Sequence, residues 1–266
     1  MKFDYHTHHN RCGHATGTVR DYVIAAIEKG LQVIGISDHT PAFALEEDLP
    51  WPGGAMAKSE FPAYVDEVLA LKKEFAGQID VMLGIEADFL PDSLDIYRSV
   101  IASYPFDYVI GSIHNFGGIS IYDGEYWDGL DQAGKLATKN LYYDYVSQSA
   151  KSGLYDILGH VDALKRYFPG YSGLWTEALD FTLQTVAASD VVLEINTSDD
   201  NCVPDTAFLE RALFHGVKVT IGSDAHEPER VGDQFEEVRK NLQAIGYREW
   251  ATFHKRVRTM VSLDQI

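Results

Sequence analysis

The chain has 266 residues, 45% hydrophobic and 12% aromatic, which is enough apolar side chain for a packed core and excludes a wholly disordered protein. Against 22 Lys and Arg stand 40 Asp and Glu, a net charge of −18 that repels polyanions and excludes general nucleic-acid binding unless a local cationic cluster reverses the field. No run approaches the roughly 18 apolar residues of a spanning helix, no basic-then-apolar leader opens the chain, and Cys12 and Cys202 are too few for a disulfide framework. The expectation is a cytoplasmic protein that binds neither nucleic acid nor membrane, with its oligomeric state left open.

Taken in chain order, short apolar and β-branched runs predict strands at Lys2 to His6, Val33 to Ser37, Val81 to Glu86, Tyr108 to Ile113, Tyr155 to His160, Val191 to Asn196 and Val217 to Ser223. Apolar residues spaced three and four apart predict helices between them, at Val19 to Lys29, Phe61 to Phe75, Leu130 to Lys151, Leu174 to Ala188, Asp205 to Phe214 and Gln234 to Ala244. Gly30, Gly77, Gly153 and Gly216 stand where a helix must stop before the next strand. The segment Thr40 to Lys58, with three prolines and the acidic run Glu46 to Asp48, reads as a loop over one end of the sheet. Strand and helix alternate, so the sheet is expected to be parallel with right-handed crossovers, as a closed barrel or a doubly wound sheet. Without linkers, repeats or shifts of composition, residues 1–266 read as one domain.

Each predicted strand ends in residues able to bind metal. Asp4, His6 and His8 follow the first; Asp38 and His39 the second; Glu86 and Asp88 the third; and His114 the fourth. His160 and Asp162, Glu194 and Asn196, and Asp224 and His226 complete the series. In parallel α/β folds ligands bind at the carboxyl ends of the strands, so these side chains are expected to meet. His6 and His8 lie two apart on an extended chain and point to the same side, and Asp224 and His226 repeat the spacing. A His-rich set with Asp and Glu suits Zn, Mn or Fe, and seven imidazoles with two carboxylates exceed what one ion can hold. Each residue has a structural reading too. His6 and His8 are read as a hydrogen-bonded pair, His160 as a core histidine, and Asp38 and Asp224 as helix caps. Their common register with the strand ends favours one metal centre over that many coincidences. His9, His215 and His254 fall outside this ring and read as surface or packing residues, and Cys12 as an idle thiol.

The motifs Asp4-Tyr5-His6-Thr7-His8, Cys12-Gly13-His14, Ser37-Asp38-His39-Thr40-Pro41, Gly84-Ile85-Glu86, Gly111-Ser112-Ile113-His114, Gly159-His160-Val161-Asp162, Glu194-Ile195-Asn196-Thr197 and Ser223-Asp224-Ala225-His226 resemble the polymerase and histidinol phosphatase (PHP) family. Order, spacing and strand context match from residue 4 to residue 226. The Ser-Asp-His-Thr-Pro and Gly-His-x-Asp-x-x-Lys-Arg segments are similar to those of its monofunctional histidinol-phosphate phosphatases. The resemblance implies a distorted (β/α)7 barrel with its site at the carboxyl ends of the strands. It also implies three divalent ions. His6, His8, Glu86 and Asp224 would hold the first, Glu86, His114 and His160 the second, and His14, His39 and His226 the third.

The implied activity is metal-dependent hydrolysis of a small-molecule phosphate ester, L-histidinol phosphate, with Glu86 bridging two ions. Asp224 and His226 would orient the nucleophile or protonate the leaving alkoxide. Arg166 and Lys165 are the expected phosphate contacts, ahead of Arg20 and Arg230, which read as surface ion pairs. For the substrate's ammonium and imidazole the candidates are Asp38, Asp162, Glu194, Asn196 or the acidic loop near Asp48, and the stretch Phe116 to Trp127 is a candidate pocket wall. Two alternatives stay open: a broader phosphoesterase of nucleotide or sugar phosphates, and a metal-binding protein without turnover.

Overall fold

The computed structural model describes residues 1–50, 54–167, 176–198 and 203–264. In chain order the elements are β1 (Phe3–Asp4), α1 (Val19–Glu28), β2 (Val33–Ile36), α2 (Phe61–Glu74), β3 (Asp80–Leu83), β4 (Glu86–Asp88), α3 (Leu94–Ala102), β5 (Ile110–Ser112), β6 (Asn115–Phe116) and β7 (Ile119–Ser120). They continue with α4 (Gly124–Asp128), α5 (Gln132–Lys151), β8 (Ile157–Leu158), α6 (Glu177–Ala188), β9 (Val192–Asn196), α7 (Thr206–Phe214), β10 (Val219–Gly222), α8 (Phe235–Ile245), β11 (Glu249–His254) and β12 (Val257–Ser262). No helix among the described residues is long and apolar enough to cross a membrane.

Two parallel sheets form the centre, one ordered β1-β2-β3 and the other β10-β9-β8-β5-β4. The expected third strand is split. β3 and β4 are separated by Gly84 and Ile85, and the chain passes from one sheet to the other across that break. Tyr108 explains it. A Cβ on Gly84 would lie 2.2 Å from the Tyr108 ring and one on Gly35 2.1 Å from its hydroxyl, so this phenol occupies the space that side chains on two neighbouring strands would need. Its hydroxyl donates to the Tyr5 carbonyl, and the Tyr64 hydroxyl donates to the carbonyl of Gly84 at 2.7 Å, so both buried phenols are satisfied.

Backbone hydrogen bonds run across both seams between the sheets. Glu86 N–H donates to Ser37 O at 3.0 Å and Thr40 N–H to Glu86 O at 2.8 Å. At the opposite seam Tyr5 N–H donates to Ile221 O and His8 N–H to Ala225 O. Asp4 strengthens this second seam. Its buried carboxylate accepts the amides of His6 (3.1 Å), Ser223 (2.9 Å) and Gly232 (2.8 Å), although burial pushes its pKa up. The sequence casts Asp4 as a site residue, but it is a clasp between the first strand and the segment after the last parallel one.

Helix stops behave as glycine chemistry requires: Gly30 and Gly216 have φ of 72° and 77°. Sequence periodicity does not reveal α3, α4 and the hairpins. For β11–β12 the reason is its turn, Lys255-Arg256, whose φ values of 49° and 64° belong to the left-handed region normally given to Gly or Asn. Asp107 holds the turn there, accepting Lys255 N–H on its carboxylate and Arg256 N–H on its carbonyl. The hairpin packs Trp250 edge-on against Phe3 and Phe253 against Tyr5, covering the inner ends of the first strand. The predicted start of α6 at Leu174 lies outside the described residues, and the segment 40–50 is irregular as expected.

Gly84→Ala drives a methyl into the Tyr108 ring and is expected to cost roughly 3 kcal/mol of stability, near the upper end of overpacking penalties. Urea unfolding of the purified variant measures it, and a loss within about 0.5 kcal/mol would contradict this account of the strand break.

Candidate metal centre

The carboxyl ends of the parallel strands converge on Glu86. This carboxylate opens β4, is 2% exposed, and is surrounded by imidazoles. Its Oε1 lies 3.0 Å from His160 Nε2 and 3.7 Å from His114 Nε2, and it accepts the Ser112 hydroxyl. Its Oε2 lies 2.8 Å from His39 Nδ1, 3.4 Å from His6 Nε2 and 3.5 Å from His8 Nε2. Asp224 is the second focus, with Oδ1 2.9 Å from His8 Nε2 and 3.5 Å from His6 Nε2. His226 stacks on His8 with centroids 4.3 Å apart, and His14 Nε2 stands 2.8 Å from His226 Nε2.

Strand geometry produces this grouping. Thr7, between His6 and His8, turns the other way and bonds to Gly35 O and Ser37, which leaves the two imidazoles side by side at 5.0 Å. His160 and Asp224 both take left-handed backbone, at φ 29° and 52°, a conformation costing about 1–3 kcal/mol for a residue with a side chain and found mostly where function imposes it.

A layer of carboxylates sits behind the imidazoles. His6 Nδ1 lies 2.6 Å from Glu194 Oε1, His114 Nδ1 2.6 Å from Asp88 Oδ1, and His8 Nδ1 3.3 Å from Asp38 Oδ1. With a metal bound, a proton on each Nδ1 would donate outward to these acids and each Nε2 would be bare and turned inward, the arrangement of metal-ligating histidines. Nε2 of His6, Nε2 of His8 and Oε2 of Glu86 are buried without any hydrogen-bond partner. Orphaned buried atoms of this kind require an occupant, and their chemistry fits a divalent cation. Among the described residues four donor sets have ligand atoms within 4.8 Å of one another: His6 with His8 and Glu86; His39 with Glu86 and His114; His8 with His39 and His226; and, behind the cage, His8 with Cys12 and Asp38.

Electrostatics agrees with this fit. Burial opposes charge on Glu86 and Asp224, yet the surrounding imidazoles hold both well below the carboxylate range. Burial also opposes charge on His8 and His114, but Asp224 and Asp38 lift His8 to about 9, and Asp88 and Glu86 lift His114 to about 9. At His226 burial and the neighbouring His8 prevail and push it down to about 4. The cage stabilises positive charge at its base and rejects further protons at its mouth.

Several expected substrate contacts are elsewhere. Asp38, Glu194, Asn196 and Asp162 are all at most 1% exposed. Asp38 and Glu194 hold imidazoles, and Asn196 spends its amide hydrogens on Glu194 and Asp224, so none of these three faces a substrate. Lys165 Nζ stands 3.6 Å from Asp205, while the side chain of Arg166 lies outside the described residues. Arg20 pairs with Glu74 and Arg230 with Asp233 as surface ion pairs. Cys12 donates to His9 O, and burial pushes its thiol up to about 12. Within the stretch 116–127, Phe116 and Trp127 are core, whereas Tyr122 is exposed and stacks on His114 at 5.8 Å. His9 is wholly buried, and the outward acids Asp88, Glu194 and Asp38 carry a role that a search for ligands alone misses.

Residues 4–198 match the PHP domain family. A probable histidinol-phosphatase of Deinococcus radiodurans is 33% identical over 96% of this chain and 97% of its own. The histidinol-phosphatase of Lactococcus lactis is 28% identical, with 95% and 94% covered. The crystal structure of the L. lactis histidinol phosphate phosphatase, complexed with zinc, L-histidinol and phosphate, superposes with a TM-score of 0.79 at 26% identity, covering 97% of this chain and 98% of that one.

Glu194→Gln removes the negative charge behind His6 and is expected to weaken zinc binding by roughly 10–100-fold, read by competition with a chromogenic chelator. The protons held at His8 and His114 compete with metal below about pH 9, so apparent zinc affinity should rise with pH up to that point and flatten above it. A pH-independent affinity between pH 6 and 8 would contradict the assigned cage.

Proposed function

The chain belongs to the PHP domain family, and from that premise we propose that it is a histidinol-phosphate phosphatase, hydrolysing L-histidinol phosphate to L-histidinol and phosphate in histidine biosynthesis. The observation that carries this reading is the set of imidazoles closed around Glu86 and Asp224, in a chain that aligns over nearly its whole length with histidinol-phosphatases. Residues 1–266 act as one domain. The hydrogen bonds across both seams support reading the two sheets as a distorted seven-stranded barrel, with β3 and β4 as one interrupted strand.

The cage suits three divalent ions, Zn, Mn or Fe. His6, His8, Glu86 and Asp224 would hold one, Glu86, His114 and His160 a second, and His14, His39 and His226 a third. His8 lies close enough to His39 and His226 to share in the last group. When bound, such ions supply Lewis-acid stabilisation of phosphoryl oxygens and a water of lowered pKa.

The residues of the chain do the rest. Glu86, fixed by Ser112 and the imidazoles, sets the spacing of the cage. Asp224, ionised and steadied by Asn196, accepts a hydrogen bond from the attacking water and so aligns it, and the water's proton is released as the new P–O bond forms. The ester P–O bond breaks, and that proton passes to the departing alkoxide of histidinol. His226, at about 4, is a neutral ligand at pH 7 and not the reservoir of that proton. Tyr122 and the hairpin β6–β7 edge the cage beside His114, and Lys165 with Arg166 is retained as the cationic pair for the phosphate.

His8→Ala and Glu86→Ala are each expected to lower kcat/KM for histidinol phosphate by at least about a thousandfold while the protein still unfolds cooperatively. Assayed against a panel of nucleotide and sugar phosphates, the wild-type enzyme should favour histidinol phosphate. Equal efficiency across the panel would establish the broader phosphoesterase, and phosphate release undiminished in either variant would refute the site.

A further inference from the structure

Glu86 faces imidazoles on both of its oxygens, and the two oxygens are not alike. Oε2 has no hydrogen-bond partner and looks towards His39, His6 and His8. Oε1 accepts the Ser112 hydroxyl at 2.5 Å, in the short range of a charge-assisted bond, and looks towards His160 Nε2 at 3.0 Å and His114 Nε2 at 3.7 Å. A carboxylate only accepts and a serine hydroxyl carries one proton, so the direction of this bond is settled. One lone pair of Oε1 is thereby occupied, and the other is left for the side of His114 and His160.

The sheet is built to hold that hydroxyl in place. β4 and β5 run parallel with Asp88 opposite Ser112 and Glu86 opposite Ile110, so Glu86 and Ser112 are diagonal neighbours on one face. Phe89 N–H donates to the Ser112 carbonyl at 2.8 Å, and Ser112 is wholly buried. On the other flank a Cβ at Gly159 would stand 2.4 Å from Ser112 Oγ. Gly159 is not among the glycines of positive φ, so its conformation does not require glycine, whereas room for the hydroxyl does. A histidine that ligates an ion through Nε2 has no proton on that nitrogen. With His114 and His160 acting as ligands, Ser112 is the one donor that Oε1 retains among the described residues.

We propose that Ser112 is a positioning residue for the metal centre: its hydroxyl holds Glu86 Oε1 at His114 and His160 and so keeps Oε2 for His6, His8 and His39, which lets a single carboxylate serve two groups of imidazoles. The proposal rests on reading Glu86 as a ligand shared by two ions. Without the hydroxyl the carboxylate can turn about its Cγ–Cδ bond and give both oxygens to one side. Its charge survives but its division between two sites does not, so the loss falls on the ion of His114 and His160 ahead of the others.

Three substitutions separate the hydrogen bond from the packing. Ser112→Ala removes the donor, while Ser112→Thr and Ser112→Val introduce side chains of one shape that differ in the hydroxyl. Zinc affinity of the full-length protein is measured by competition with a chromogenic chelator, a readout independent of substrate, with cooperative thermal unfolding as the check of folding. The expected result is a roughly 10–100-fold weakening of one zinc site in Ser112→Ala and Ser112→Val, and affinities within about threefold of wild type in Ser112→Thr. In the first two, kcat should fall at limiting zinc and recover at saturating zinc, with KM unchanged. In a His114→Ala background, where the same site is already damaged, adding Ser112→Ala should change zinc affinity by less than about threefold. If the extra methyl keeps the Ser112→Thr and Ser112→Val proteins from folding, Ser112→Ala and the His114→Ala background decide. Wild-type affinity in Ser112→Ala, equal losses in Ser112→Thr and Ser112→Val, or a full additional loss in the His114→Ala background would overturn the proposal. Glu86→Ala is the control for the underlying reading: unchanged zinc affinity there would remove Glu86 from the ligands, whereas a loss there beside wild-type affinity in Ser112→Ala would dismiss the role of Ser112 alone.

Discussion

A carboxylate buried as deeply as Glu86 is stable in its charged form only if cations surround it, and the rest of the site follows from that constraint. Five imidazoles from four different chain segments approach its two oxygens. Because they come from His6, His8, His39, His114 and His160, the strands that carry them must end at one height. The split between β3 and β4 serves this arrangement: it delivers Glu86 from the start of a strand, while the histidines come from beyond the ends of others. The parallel sheet is thus a device for bringing distant residues to one place, and Tyr108, filling the gap left by two glycines, fixes where the sheet bends.

Much of this was legible in the sequence. Alternation of apolar runs and helical periodicity located the parallel strands, and the placing of His and acid residues after each run located the site, because both depend on local patterns. The family resemblance rested on the same residues, and the family assignment agrees with it. Features set by contacts between distant segments were not legible. The β11–β12 hairpin turns on Lys255 and Arg256, which carry no turn signal and are held in place by Asp107, about 150 residues earlier in the chain. Asp38 and Asn196 looked like substrate contacts because they stand at strand ends. Only the fold shows that Asp38 Oδ1 backs His8 and that the amide hydrogens of Asn196 go to Glu194 and Asp224.

The acidity of the chain takes on a different meaning at the site. A net charge of −18 suggests a surface hostile to phosphate. Inside, Asp38, Asp88 and Glu194 lie behind the histidines, where they raise the basicity of the rings and face away from any ligand in the cage. Negative charge one layer out makes the inner layer a stronger host for cations, and cations in turn make it a host for a phosphate dianion. Two layers of opposite tendency reconcile an acidic protein with an anionic substrate.

The clasp at Asp4 has a further consequence. It joins the opening residues of the chain to Ser223 and Gly232, and the ligand set itself runs from His6 to His226. A polypeptide still on the ribosome therefore possesses the first imidazoles long before the partners that close around them have been synthesised. Fragments ending short of the last parallel strand lack Asp224 and His226, so the complete cage forms only once the chain has been made through residue 226.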